Sequence, residues 1–467
     1  MDDELQLRLV ALEQEFAAAR ARWEEERAAL LAEIRKLSVE VARLESENNR
    51  LREQLAESQQ EKARQAAPFR RNPRRKGNKN PQRPGRKPGH PGANRQVPDR
   101  IDEQVEVPLC GCPGCGGAVD KVRAVEQYIT EIPEVRPVTT KVTTYVGRCA
   151  KCGEVRSTHP LQTSTAEGAA KVQLGPRVLA WGAELNKRLG LSMRKTCSLF
   201  EKLLGLTLTP GGLSQALDRV AQRCRGEYYR IFDQVRESPV VYADETSWWV
   251  GEAGWWLWTF TTPETTLYRV ERSRGKGIVR KTLGRDFRGV LVTDCGTMYD
   301  DIQCRKHKCI AHHLQAIERA REMQDSRFHL YLDEWVEFFR RVIALWKERP
   351  QLPPPEFESR RTGLETKCDE LLGRELRWKG DKQVQKRLQR KRAHLLTCLH
   401  DPQVEPTNNR AERSLRPAVI ARKLSCGNRT TLGKQTWEII QSLAVTCHQK
   451  AESLVDYLAP KLQLAAA

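Results

Sequence analysis

Nowhere in the 467 residues does an apolar run approach the ~20 residues needed to cross a bilayer. The N-terminus opens Asp2-Asp3-Glu4 and lacks the basic-then-apolar pattern of a secretion signal, so no membrane role is indicated and a cytoplasmic chain is expected. Cysteine is too thinly spread for a secreted disulfide scaffold. There are 14 in the whole chain, four of them in CxxC pairs, which points to thiols and metal in a reducing compartment. Acid is almost missing from one stretch: residues 62–100 carry 13 basic side chains against 1 acidic, whereas residues 1–61 carry 9 against 15. The formal charge of +20 is therefore uneven, and Lys and Arg clustered beside Pro and Gly fit a polyanion such as DNA. A solvated linker is the plainer reading of the same stretch. Residues 62–100 also have too many Pro and Gly for a helix and too few apolar residues to order the chain. They predict an extended arm, able to neutralise phosphates or enter a minor groove.

The length allows about three domains at ~150 residues each. At the N-terminus, Leu30, Leu37, Leu44 and Leu51 recur every seven residues, with Ile34, Val41, Asn48 and Leu55 interleaved at the same interval. These are the d and a positions of a zipper, and Asn48 at an a position favours a single register and a parallel dimer. A helix packed within the chain is the alternative. Upstream, Leu5, Leu9, Leu12, Phe16, Ala19 and Trp23 keep a shifted phase, which predicts a discontinuity near residues 24–27.

Cys112-Pro-Gly-Cys115-Gly and Cys149-Ala-Lys-Cys152-Gly are two knuckles whose turns direct paired thiolates at one ion. Four thiolates predict one structural Zn²⁺, with Cys110 as a nearby competitor and unliganded cysteines as the plain alternative. The 33 residues between Cys115 and Cys149 exceed the spacing of a short zinc module. Apolar alternation over 125–132 and 138–146 predicts strands that fill the gap. Helical periodicity follows over 175–189, 192–204 and 209–235, with Ser192 as N-cap and Gly205 closing the middle helix. The last two could form a helix-turn-helix, or simply part of a helical bundle.

Two short apolar runs stand out, Val240-Val-Tyr-Ala-Asp244 and Val290-Leu-Val-Thr-Asp294. Each reads as a strand buried on both faces and ending on a carboxylate. Between them lie a predicted hairpin, over 255–263 and 265–273, and a helix over 276–284. If the two runs pair in parallel, their carboxyl ends bring Asp244 and Asp294 within reach of shared cations.

That order, with the blocks YADETSWWV, VTDCGTMYD and PTNNRAERSLRP (residues 406–417), resembles the transposases of the insertion sequence 66 family. The zipper, the GRKPGHPG segment and the paired knuckles extend the resemblance over nearly the whole chain. It implies a DDE-type enzyme with a ribonuclease-H-like α/β catalytic core, in which Asp244, Asp294 and Glu412 hold catalytic Mg²⁺ or Mn²⁺, two ions in this chemistry. It also implies double-stranded DNA as substrate, at element ends and target, and helper proteins from the same element. The 118 residues from Asp294 to Glu412 include a helical insertion. Thr407 is predicted to cap a helix over 408–416 that Pro417 ends or kinks, and Glu405 is the rival acid. Residues 308–312, Lys-Cys-Ile-Ala-His, resemble a Cys-x-x-His segment of some DDE groups, although a packed Cys and a structural His is the plainer account. Residues 379–392 hold seven basic side chains against one acid and suit either a DNA path or a solvated helix face.

The expected plan is multidomain α+β: a coiled coil over 1–61, a basic disordered arm over 62–100, a small zinc-binding β module over 101–160 and a helical DNA-binding unit over 161–236. The catalytic core follows over 237–325, then the helical insertion over 326–405, and the rest of the core with C-terminal helices over 406–467. The expected function is metal-dependent DNA strand cleavage and transfer by a homodimer or larger assembly in a bacterial cytoplasm. A non-enzymatic zinc-containing DNA-binding protein would share the basic and cysteine features but have no use for the three acids.

Overall fold

The computed structural model describes residues 2–64, 90, 92, 95–323 and 329–465. They fall into two units, Met1–Asn72 and Pro73–Ala467. Most of the predicted arm, residues 65–89, 91, 93 and 94, lies outside the described residues. The first unit is one helix, α1 (Asp2–Arg64), 63 residues long. It runs unbroken through residues 24–27, where Glu24-Glu25-Glu26-Arg27 followed by two alanines are strong helix formers; the discontinuity predicted there is a shift in the phase of the apolar seam, which a continuous helix accommodates. The seam side chains Leu30, Ile34, Leu37, Val41, Leu44 and Leu51 are between 50% and 60% exposed.

The second unit opens with irregular chain. Strands predicted over 125–132 and 138–146 do not form, and Val125, Ile129, Ile132 and Val138 stand exposed. Without a ladder partner or a surface to pack on, β-prone side chains do not make a strand. The one hairpin here is β1 (Val146–Cys149) with β2 (Gly153–Arg156). Next, α2 (Pro176–Ala183) passes into a π turn over Glu184–Arg188. Ser192 Oγ accepts the Lys195 N–H at 3.3 Å to start α3 (Met193–Leu204), which Gly205 closes at φ 62°. Thr209 Oγ1 accepts the Gly212 N–H at 3.0 Å to start α4 (Pro210–Arg223). A break at Cys224 separates it from α5 (Arg225–Glu237), so the single helix predicted over 209–235 is two.

A mixed five-stranded sheet follows. Its elements in chain order are β3 (Val240–Val250), β4 (Glu252–Thr261), β5 (Thr266–Glu271), α6 (Gly277–Leu283), β6 (Val290–Thr293) and β7 (Arg305–Lys308). The spatial order is β5-β4-β3-β6-β7, antiparallel from β5 to β3 and parallel from β3 to β7. The predicted succession of strand, hairpin, helix and parallel strand is present. Gly289 makes the central pairing possible: a Cβ there would lie 2.5 Å from Ser238 O and 2.9 Å from Pro239 O. The remaining helices are α7 (Ile310–Glu322), α8 (Leu330–Glu348), α9 (Pro354–Gly373), α10 (Lys379–Gln389), α11 (Thr397–His400), α12 (Asn409–Ser425), α13 (Thr431–Gln449) and α14 (Leu454–Lys461).

Because side chains alternate along a strand, β3 and β6 feed two cores. Val241, Ala243 and Leu291 pack with Leu217 of α4, Ile231 of α5 and Ile440 of α13. Val240, Tyr242, Val290 and Val292 pack with the helices of the insertion, including Trp335 and Phe339 of α8. The helices of residues 161–236 thus share the sheet's own core on one face, and the helices between β7 and α12 roof the other.

The outer edge of β5 would leave backbone N–H groups unpaired. Instead, three polar side chains of α13, spaced four residues apart, meet alternate amides of the strand. Thr446 Oγ1 accepts from Thr266 at 3.1 Å, Ser442 Oγ accepts from Tyr268 at 2.9 Å, and the Glu438 carboxylate accepts from Val270. The match is geometric, since four residues of helix rise about 6 Å and two of strand just under 7 Å. Losing one such partner would strand a buried amide at a cost of about 1–3 kcal/mol.

Burial raises the Glu438 carboxyl from 4.5 to about 7, with Lys434 opposing. The folded carboxyl keeps its proton up to about pH 7 and the unfolded one loses it near pH 4.5. Stability therefore falls as pH rises across that window, by about 3 kcal/mol in all. Glu438→Gln retains the acceptor but not the titration. We predict that the thermal midpoint of this variant, measured from pH 4 to 8 (about the span of the shift), declines less steeply than that of wild type; a decline of unchanged steepness would refute the assignment.

Candidate active site

The site begins with the β3–β6 register, which pairs Val240 with Val290, Val241 with Leu291 and Tyr242 with Val292. Two more residues along each chain are Asp244 and Asp294. Both fall at even positions, on the face of Tyr242 and Val292, so strand alternation aims the two carboxylates the same way. Asp294 follows the last residue of β6, as predicted. Its Oδ1 accepts the Gly296 N–H at 2.7 Å, and a Cβ at residue 296 would sit 2.9 Å from that oxygen, so a side chain there would crowd the carboxylate. Asp244 does not end its strand, contrary to expectation. Antiparallel pairing with β4 carries β3 on to Val250; what ends at Tyr242 is the parallel partnership with β6.

The β3 edge left open there is taken by the segment leading into α12. Asn408 Nδ2 donates to Ala243 O at 2.9 Å, and the Asn408 N–H reaches Cys309 Sγ at 3.1 Å. The Ile310 N–H donates to Pro406 O at 3.0 Å. The helix start is therefore pinned to β3 and to the β7–α7 turn, and Glu412 lies in the first turn, its N–H on Asn408 O at 3.1 Å. Two details of the prediction are corrected. Thr407 does not cap this helix, since Asn408 precedes it and uses its side chain as a tether. Nor does Pro417 end it: α12 continues to Ser425, giving up only the hydrogen bond that residue 417 has no N–H to make. The rival Glu405 is committed elsewhere, to Arg410 at 2.5 and 3.1 Å, with its N–H on Tyr242 Oη at 2.9 Å.

Burial holds the Asp244 carboxyl well above the usual carboxylate range, and the charges of Glu245, Asp294 and Glu412 push it further, against one hydrogen bond from the Glu245 N–H. Asp244 thus senses both other acids, although among the described residues the oxygens of the three are not all within 4.8 Å of one another. A carboxylate desolvated beside like charges is stabilised in its ionised form by a cation, and oxygen donors suit Mg²⁺ or Mn²⁺, so the residues present fit such ions.

Sequence reasoning missed the supports of this site. Glu245 points to the opposite face, where Arg274 donates to it at 2.8 and 3.0 Å and Tyr299 Oη hydrogen-bonds it. Lys308, fully buried, donates to Thr293 Oγ1 at 3.1 Å and pairs with Asp300 at 3.3 Å; Lys391 of the insertion meets the same Asp300 at 2.7 Å. No local signal marked it, since β7 reads Arg305-Lys306-His307-Lys308 and is polar throughout. Cys309, His312 and Glu412 also come together, with ligand atoms all within 4.8 Å of one another.

The knuckle cysteines are each locally arranged. The N–H groups of Gly114 and Cys115 lower the Cys112 thiol, and those of Cys152 and Lys151 lower Cys149, which favours thiolates. The second knuckle is the turn of the β1–β2 hairpin. Among the described residues, the four sulfurs are not gathered into one ligand group.

A family model described as Transposase IS66 family matches residues 171–436, which is 266 of the 467 residues and takes in all three acids. The chain belongs to this family of transposases. Uncharacterized protein y4qI of Sinorhizobium fredii (strain NBRC 101917 / NGR234) is 25% identical over 266 residues, covering 50% of this chain and 49% of that protein. The chain spans about half the length of that curated relative.

If the acids hold a divalent cation, millimolar Mg²⁺ should raise the thermal midpoint at neutral pH. Asp244→Asn should raise the midpoint of metal-free protein, by relieving repulsion, and abolish the response to Mg²⁺. An equal Mg²⁺ response in the variant would exclude Asp244 as a ligand.

Proposed function

We propose that this chain is a DNA transposase that cleaves and transfers strands at the ends of its own insertion sequence, with Asp244, Asp294 and Glu412 holding the catalytic Mg²⁺ or Mn²⁺ ions. The observation that carries the reading is the pair of aspartates at matched positions on one face of parallel neighbours, with Glu412 beside them, in a member of a transposase family. The strand order, three antiparallel and two parallel strands with the first at the centre, supports a ribonuclease-H-like core. Bound divalent ions would supply activation of the attacking oxygen and stabilisation of the leaving one. The protein's share is placement: Gly296 fixes the Asp294 carboxylate, Asn408 fixes the start of the helix bearing Glu412, and Arg274 with Tyr299 neutralises Glu245 behind Asp244.

Double-stranded DNA is the partner this chemistry requires. Lys386, Arg387 and Arg390 are exposed on α10 or just after it, and Arg387 hydrogen-bonds Cys295, next to Asp294, so a basic surface borders the acids. The arm over 62–100 adds sequence-independent affinity. A structural Zn²⁺ on Cys112, Cys115, Cys149 and Cys152 would order the module before the core. The α1 seam would bury its leucines in a homodimer, and helper proteins of the element complete the assembly. Among the described residues no helix is long and apolar enough to cross a membrane, in keeping with a DNA-associated protein of the bacterial cytoplasm. A purely DNA-binding protein would gain nothing from three mutually repelling carboxylates.

Glu412→Gln is expected to reduce Mg²⁺-dependent cleavage of DNA bearing the element's ends to background while end binding persists, and Glu405→Gln to stay active. The reverse pattern would overturn the site. A peptide of residues 1–61 should be helical and dimeric in equilibrium sedimentation at micromolar concentration; a monomer would refute the zipper.

A further inference from the structure

Glu412 has neighbours besides the two aspartates. Cys309 forms the turn between β7 and α7, its N–H on Thr293 O at 2.9 Å and its sulfur accepting the Asn408 N–H at 3.1 Å. His312 follows in the first turn of α7. Its Nδ1 is sealed from solvent and has no hydrogen-bond partner. The nearest carboxylate oxygen, Glu412 Oε1, is 3.9 Å away, beyond hydrogen-bonding reach. A buried polar atom left unpaired costs about 1–3 kcal/mol and asks what it would bind. The spacing is suited to an ion about 2 Å from each donor, and Cys309 Sγ lies within 4.8 Å of both.

We propose that Cys309 Sγ, His312 Nδ1 and a Glu412 carboxylate oxygen form a Zn²⁺ site separate from the four knuckle cysteines. Sulfur, nitrogen and one oxygen make a donor set that selects zinc or cobalt over Mg²⁺, which takes oxygen ligands in an octahedral shell. Three protein ligands leave a fourth position open to water. On binding, the Cys309 S–H bond breaks, a Zn–S bond forms and the proton passes to solvent. All three donors are carried on segments that Asn408 and Pro406 tie together, so the site is assembled by the contacts that place Glu412. The proposal rests on the function proposed above only in sharing Glu412. Zinc there and magnesium at the aspartates would compete for one carboxylate.

The test counts zinc on the full-length protein at equilibrium with micromolar free Zn²⁺ and needs neither DNA nor activity. His312→Asn and Cys309→Ser should each bind one equivalent less than wild type, and Cys112→Ser combined with Cys149→Ser should lose a different equivalent, the losses adding. Cobalt substitution supplies a second readout: the thiolate-to-cobalt absorption lost in Cys309→Ser should be distinct from that lost in the knuckle variant. Cys309 is buried, so His312→Asn, at a half-buried position, guards against misfolding as the cause. A full wild-type zinc complement in either single variant overturns the site. The transposase reading fails on a different result, Mg²⁺-dependent cleavage that survives Glu412→Gln.

Discussion

The parallel pairing of β3 with β6 is the contact on which the rest of this molecule depends. It lasts three residue pairs, and both strands are buried on both faces. Alternation then decides everything two residues further on: Asp244 and Asp294 must face the same way as Tyr242 and Val292, and Glu245 must face the other way, among Tyr299 and Arg274. A slip of one residue would turn Asp244 away from Asp294. Gly289, where a side chain would meet the backbone of residues 238 and 239, is one device that sets the alignment.

Where the pairing stops, β3 has an open edge, and helix-borne polar groups complete it. The Asn408 amide takes the carbonyl of Ala243, and at the far side of the sheet Thr446, Ser442 and Glu438 take the amides of β5. In both places a helix is docked by hydrogen bonds to strand backbone as well as by apolar burial, which fixes its position along the strand where burial alone would let it slide. For α12 that precision bears on the proposed site, because Glu412 stands one turn beyond the anchor.

How much of this could be read in the sequence follows from how local each cause is. Val240-Val-Tyr-Ala and Val290-Leu-Val-Thr announce buried strands unaided, and the order of elements between them leads to the parallel pair. Ser192, Gly205 and the two knuckles were legible because caps and tight turns are written in neighbouring residues. Glu412 came from resemblance alone, since its placement depends on Asn408 finding Ala243 across 165 residues. The same distance effect hid Lys308, whose burial is supported by Asp300 and Thr293, and it concealed the third donor beside the visible Cys-x-x-His spacing. The strands predicted over 125–132 and 138–146 failed for the converse reason: local β preference was present but no neighbouring strand was.

The electrostatics of the centre set a condition on the surrounding fold. A half-buried Asp244 beside Glu245, Asp294 and Glu412 is a site where ionisation opposes folding. The structure answers one of those charges with Arg274 and Tyr299, both on the opposite face. Among the described residues it gives Asp244 no comparable basic partner, although basic groups stand close by: Lys308 is turned to Thr293 and Asp300, and Arg387 reaches Cys295. Had either cation been turned onto the aspartates, the repulsion within the cluster would be reduced, and a metal would have to displace it. Directing the lysine into its own pair with Asp300 keeps positive charge near the loop after Asp294 while leaving the carboxylate oxygens free for the proposed ions. The two apolar cores, one on each face of the central strands, then hold the backbone fixed against the repulsion that this arrangement retains.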